Sequence, residues 1–289
     1  MKSVYTIQFL VLVIVVTAAI ATLAAIFSHD GSGPYTYNSI RGHQVKIYGE
    51  GLYKDMSAEV APQGLAQDHV TLLIGIPLLI ISFVKARKGS LKGRFLLAGT
   101  FGYFLVTYLF YLVMGMYSHM YLAYVVLLSA SFFAFYLTMQ SFRLSNLPQS
   151  FGEKTPTGLA GVFLIFNCIA IGLLWLSIIV PPLLDGTIVP RQTEHYTTLI
   201  VQGLDLALLL PAGFIAGVLF IRKKPSGYLF APVYMVFLSL LMTALTAKLI
   251  AMAHLGANVI PAIFIIPVFN LVAVIFSVLV LRNVRERRL

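Results

Sequence analysis

Eight stretches of this chain run for about the length of a bilayer crossing with almost no charge, and that restricts what it can fold into more than any other feature. A hydrocarbon core about 30 Å thick takes about 20 helical residues to span. The stretches lie at about Val4–Phe27, Val70–Val84, Phe95–Met116, Met120–Gln140, Gly158–Leu184, Thr197–Ile221, Gly227–Ala253 and Val259–Leu281. Hydrophobic residues make up 59% of the chain and charged ones 10%, where soluble domains carry about a quarter charged. Backbone in lipid must bond to itself, and the stretches lack the period-two alternation of a barrel strand, so each is read as a helix. The expected fold is an all-α integral membrane protein, a bundle of eight transmembrane helices.

The charges between the spans alternate in density. One side carries Lys2, Lys85, Arg87, Lys88, Lys92, Arg94, Arg143, Lys154, Arg222, Lys223, Lys224, Arg282, Arg285, Arg287 and Arg288, fifteen of the twenty basic residues. The other carries Arg41, Lys46, Lys54 and Arg191, with seven of the ten acids. By the positive-inside rule both termini are expected in the cytoplasm of a plasma-membrane protein. The net charge of +10 then follows from topology and does not point to nucleic acid. The first apolar run, at about 24 residues, exceeds the roughly 7–15 of a secretory signal core and reads as an anchor.

Two tandem halves, 1–150 and 151–289, share a rhythm. Pro77 stands 10 residues before Arg87 and Pro211 stands 11 before Arg222, while Arg87 to His119 and Arg222 to His254 are both 32. Four spans in each half would place them the same way up, as in transporters built from parallel repeats.

Ionisable groups inside a bilayer are costly and should face protein or water. Asp205 lies about 8 residues into the sixth span, roughly 12 Å deep at 1.5 Å per residue, and reads as the only acid in the hydrocarbon. Lys248 lies 6 residues, roughly 9 Å, from the end of the seventh span near His254. The matching depths predict a charge pair, with Gln202 one turn above Asp205 and Asn270 as a further polar contact. Thr243 and Thr246 are alternative hydroxyl caps for Asp205. Gly213 and Gly217 form a GxxxG close-packing face.

All six histidines fall on the acid-richer side. His69, His119, His195 and His254 sit at span ends and are candidate ligands for a metal or haem iron, although no pair has the i, i+3 or i, i+4 spacing of a local site. Cys168, the lone cysteine, excludes an internal disulfide and a thiolate zinc cluster. A Schiff-base role for Lys248 lacks a Trp-lined chromophore pocket, since Trp175 is the single tryptophan. No GxSxG, HExxH or phosphate loop is present, and Ser129 and Ser131 have no intramembrane histidine beside them.

The loop 28–69 is the longest connection. Its segment Gln44–Lys54 suggests a hairpin turning at Gly49 and Gly51, followed by an amphipathic lead-in, Ser57–Asp68. The leading functional expectation is binding or transport of a small solute or ion through an outward-facing cavity containing Asp205 and Lys248, with the lipid bilayer as surrounding partner and no cofactor. Two alternatives are a membrane-embedded metal- or haem-dependent enzyme using the four span-end histidines, and a sensor or assembly factor acting through the loop 28–69.

Overall fold

The computed structural model describes residues 4–286. Of the basic residues named above, Lys2, Arg287 and Arg288 lie outside the described residues. Among those described, eight helical segments are long and apolar enough to cross a membrane, and the protein is an all-α eight-helix bundle.

The first half contains α1 (Val4–Phe27), α2 (Ala61–Val70), α3 (Ile76–Arg87), α4 (Leu91–Met114) and α5 (Tyr121–Gln140). The second contains α6 (Thr157–Leu184), α7 (Ile200–Leu204), α8 (Leu210–Ile221), α9 (Pro225–His254) and α10 (Ala262–Arg282). Helices α2 and α3 form one span, joined through a five-residue π-helical turn, Thr71–Gly75. Helices α7 and α8 form another, joined through Asp205–Leu209 in the same conformation. Proline explains the place of both turns. Pro77 and Pro211 have no N–H to give the carbonyls four residues back, Leu73 and Ala207, and both carbonyls fall inside the widened turns.

The likeness of the halves extends to single bonds. The amides of Lys88, Gly89 and Ser90 donate to the carbonyls of Val84, Ala86 and Lys85 at 3.2, 3.1 and 3.2 Å. Those of Arg222, Lys223 and Lys224 donate to Val218, Phe220 and Leu219 at 3.1, 3.0 and 3.0 Å. Each residue of the second set is the first set's number plus 134. Gly89 and Lys223, so related, both have positive φ, 88° and 51°. Gly93 and Gly227, again so related, each lie where a Cβ would press on the backbone of the preceding helix, at 2.7 Å from Ala86 N and 2.3 Å from Leu219 C. Helix α3 turns into α4 as α8 turns into α9.

Helices α4 and α9 cross at the centre, each also packed on the helix before and the helix after it. Lipid supplies no hydrophobic drive between helices, so close packing must hold the crossing. Phe95, Phe101, Tyr103, Phe104 and Tyr108 of α4 are fully buried, and a Cβ on Gly99 would lie 2.4 Å from Val236 Cβ of α9. The GxxxG face is used as read. Gly217 meets Gly161 of α6 backbone to backbone, each hypothetical Cβ 2.7 Å from the other's carbonyl, while Gly213 lies under Tyr234 and Cys168.

Two expectations are corrected. The second span begins at Ala61, not Val70, because the stretch read as an amphipathic lead-in is itself helix α2 and continues through the π turn. The loop's hairpin is real but displaced. Strand β1 (Tyr35–Asn38) pairs antiparallel with β2 (Gln44–Ile47), Tyr35 opposite Ile47 and Asn38 opposite Gln44. Gly49 and Gly51 do not make its turn. Gly49 (φ 82°) presses its backbone against Gly33, and Gly51 (φ 58°) against Ser28. We call residues 28–60 the cap.

The two halves are tied at both ends of the bundle. At the basic end, Glu286 accepts from Ser90 Oγ (2.6 Å) and from the amides of Leu91 (2.8 Å) and Lys92 (3.1 Å). A carboxylate thus satisfies the first free amides of α4, where the helix dipole favours negative charge. At the other end, the Arg41 guanidinium of the cap donates to the carbonyls of Tyr196 (2.8 Å) and Thr197 (2.9 Å), in the connection between α6 and α7.

Candidate functional site

The π turns bring polar residues to matching places in the two halves. Three residues before the first turn stands Asp68, and three before the second stands Gln202. The turns themselves open on Thr71 and Asp205. Each broken span therefore presents two polar groups one helical turn apart, one of them an aspartate.

Asp68 is 2% exposed, so Asp205 is not the only acid within the spans. The sequence reading began the second span at Val70 and left Asp68 in the loop. One carboxylate oxygen accepts from the Tyr53 hydroxyl of the cap at 2.5 Å, and the other lies 3.1 Å from the Tyr111 hydroxyl of α4, which also reaches the Gly64 carbonyl at 3.0 Å. Around this acid, Gln67 donates to the hydroxyls of Tyr103 (2.8 Å) and Thr107 (3.2 Å), and Thr71 bonds Tyr103 at 2.8 Å. The rings of Tyr108, Tyr111 and Tyr124 lie 5.3–6.0 Å apart, centroid to centroid. The Tyr108 hydroxyl is buried without a partner. Burial, and then the Asp68 charge, hold the Tyr53 phenol well above its ordinary range. Tyr53 is therefore a neutral donor at physiological pH.

Asp205 is half-buried. Its Oδ2 accepts from the Trp175 indole of α6 at 2.8 Å. Nearby, the Tyr234 hydroxyl donates to the Leu209 carbonyl at 2.9 Å and so supplies the π turn with a donor from α9.

Lys248 of α9 stands within electrostatic range of both Asp68 and Asp205. The interaction with each acid is through space, not through a shared hydrogen bond. Among the described residues no ion pair or hydrogen bond joins Lys248 to either acid, and the one side-chain bond of Asp205 is that from Trp175.

The remaining candidates are placed as follows. Gln202 is half-buried on α7, one turn from Asp205. Asn270 accepts from Thr243 at 3.2 Å in the seam between α9 and α10, where Ser239 and Ser277 also meet at 3.0 Å. Thr243 and Thr246 do not cap Asp205, since their hydroxyls turn back to the carbonyls of Ser239 and Met242, both at 2.8 Å. His119 and His254 are exposed, while His69 and His195 bond the carbonyls of Leu65 (2.8 Å) and Asp55 (3.1 Å). Among the described residues no three His, Cys, Asp or Glu side chains gather as metal ligands.

A cavity of about 570 Å³ lies beneath the cap, between Lys46 and Glu59 of the cap, Pro62 of α2, Arg191 and Glu194 of the α6–α7 connection and Met252 of α9. It does not contain Asp205 and Lys248, as the sequence suggested, but opens at the end of the α2–α9 seam that carries Asp68 and Lys248. Met252 is four residues from Lys248, about 6 Å, and Pro62 six from Asp68, about 9 Å.

Glu194 helps set the strength of the cap. Burial pushes its carboxyl above the ordinary 4.5, the Ser57 hydroxyl works against that and the Glu59 charge adds to it. The folded cap thus holds this proton more tightly than the unfolded chain, so the contribution is complete below pH 4.5 and lost as pH rises through the raised value. Glu194→Gln is expected to remove the loss. Limited proteolysis of residues 28–60 should be slower in the variant than in the wild type at neutral pH, and equal in acid.

The chain matches no protein-family model, no curated protein and no solved structure in the three comparisons made.

Proposed function

We propose that the protein binds and transports a small solute or ion across the plasma membrane, with the cap outside and both ends in the cytoplasm. The observation that carries this reading is a pair of spans, one from either half, each broken at a π turn with an aspartate at or one helical turn before the break, Asp205 in one and Asp68 in the other. Ionisable groups in a bilayer are expensive, and they mark pathways and coupling sites. Broken spans at the meeting of two like-oriented halves are where transporters with parallel repeats place their substrates, and π turns concentrate at functional sites. The cavity under the cap supplies a water-side entrance one turn above Lys248. The excess of basic residues at the other end supports the orientation.

The test is uptake by proteoliposomes offered radiolabelled sodium, rubidium, methylammonium, alanine and acetate in turn, each with and without a pH gradient. At least one should accumulate with wild-type protein and fall to the empty-vesicle level with Lys248→Met and with Asp205→Asn. No accumulation of any of the five, or equal accumulation by both variants, rejects the assignment.

A further inference from the structure

Four charged side chains line the cavity under the cap, Lys46 and Glu59 from the cap and Arg191 and Glu194 from the α6–α7 connection. Their charges sum to zero, yet among the described residues no ion pair or side-chain hydrogen bond joins any of them to another. Pro62 of α2 and Met252 of α9 give the same space an apolar wall. At about 570 Å³ it falls within the usual range of small-molecule pockets, which join an apolar lining to a few fixed polar groups.

One of the four is held under strain. Glu194 has φ 49° and ψ −121°, outside even the small left-handed region open to side-chain-bearing residues. Such a backbone persists only where its surroundings impose it, and ligand clamps are among the places where proteins keep it. Here the residues after Glu194 are bonded to the cap. His195 meets the Asp55 carbonyl at 3.1 Å, the Tyr196 hydroxyl accepts from the Ser57 amide at 3.2 Å, and Arg41 holds the Tyr196 and Thr197 carbonyls. The half-buried Glu194 is left at the cavity wall. Burial and the charge of Glu59 both oppose its ionisation, and an ammonium group beside the two carboxylates offsets both. Arg191 offers a carboxylate its planar fork of N–H donors, and Lys46 a point charge. We propose that this cavity binds a small zwitterion, an amino acid with an aliphatic side chain. Its ammonium lies on Glu194 and Glu59, its carboxylate on Arg191 and Lys46, and its side chain against Met252 and Pro62. A simple cation leaves the two basic groups without a partner and a simple anion leaves the two acids, whereas a molecule bearing both charges serves all four. This inference rests on the transport reading above for its purpose and adds the class of solute, while the binding itself is measured without any flux.

Equilibrium dialysis of the detergent-solubilised protein with radiolabelled leucine tests the proposal, with two competitors that each lack one end of leucine. Isoamylamine has no carboxylate, and isocaproate has no ammonium. Leucine should bind saturably, and each competitor should bind at least about tenfold more weakly, the effect of losing one charged contact. Glu194→Gln and Arg191→Gln should each weaken leucine by about tenfold or more. Glu194→Gln should leave isocaproate as it was, and Arg191→Gln should leave isoamylamine as it was, a crossed pattern that a general loosening of the cap does not produce. Arg191 is exposed, so Arg191→Gln carries the test even where Glu194→Gln does not fold. Absence of saturable leucine binding, equal affinity for leucine and either analogue, or wild-type affinity in Arg191→Gln would each overturn the proposal. Leucine binding without uptake of any probe into proteoliposomes would remove transport and leave the site. Uptake of another probe without leucine binding would remove the site and leave transport.

Discussion

Lys248→Met is expected to lower the stability of the detergent-solubilised protein by about 3–5 kcal/mol at neutral pH, the cost of leaving buried charge without its partner. Methionine keeps the length and most of the volume of the lysine stem, so the loss reports charge and not packing. The triple variant Lys248→Met, Asp68→Asn, Asp205→Asn is expected to recover most of it, since replacing a buried ionic group with neutral residues is often neutral or stabilising. Thermal unfolding followed by intrinsic fluorescence, with Trp175 hydrogen-bonded to the site itself, checks both. A triple variant no more stable than the single would show that the three charges do not act as one cluster.

Gly99→Leu is expected to cost about 3 kcal/mol, the upper end of the usual range for overpacking. The added Cβ would lie 2.4 Å from Val236 Cβ and 2.8 Å from the Val233 carbonyl oxygen. A side chain can turn aside, but a helix carbonyl cannot move without displacing α9. Gly158→Leu at the start of α6 is the control, because nothing lies within 4 Å of its Cβ position. Both variants should be compared by thermal unfolding and by elution on size-exclusion chromatography. Equal behaviour of the two would mean that the α4–α9 crossing is not the tight seam of the bundle.

Much of this architecture was legible in residue order. The end of α1 at Phe27 agrees with the end of the apolar run, since His29, Asp30 and Gly31 bound that run on its own. Depth alone pointed to Lys248 as the partner of Asp205, whereas the hydrogen bond that the structure gives this acid comes from Trp175. Asp68 was hidden because hydropathy cannot separate an acid at a helix mouth from one buried among tyrosines. Tyr53 comes from the cap and Tyr111 from another helix, and only the folded chain sets them around the carboxylate. A signal was nonetheless present. Aligning Pro77 with Pro211 sets Asp68 on Gln202, a residue already placed inside a span. The π turns left no mark except those two prolines, which as readily allow a simple kink. The hairpin was misplaced because Gly49 and Gly51 have the composition of a turn, while the fold uses them where backbone segments press together.

The cap and Glu286 fasten the halves to each other on opposite faces of the bundle. Each fastening adds to the packed α4–α9 crossing that already joins the halves. Any wider gaping toward one side must first release the guanidinium from its carbonyls or the carboxylate from its amides, so each works as a catch whose strength sets how long that side stays shut.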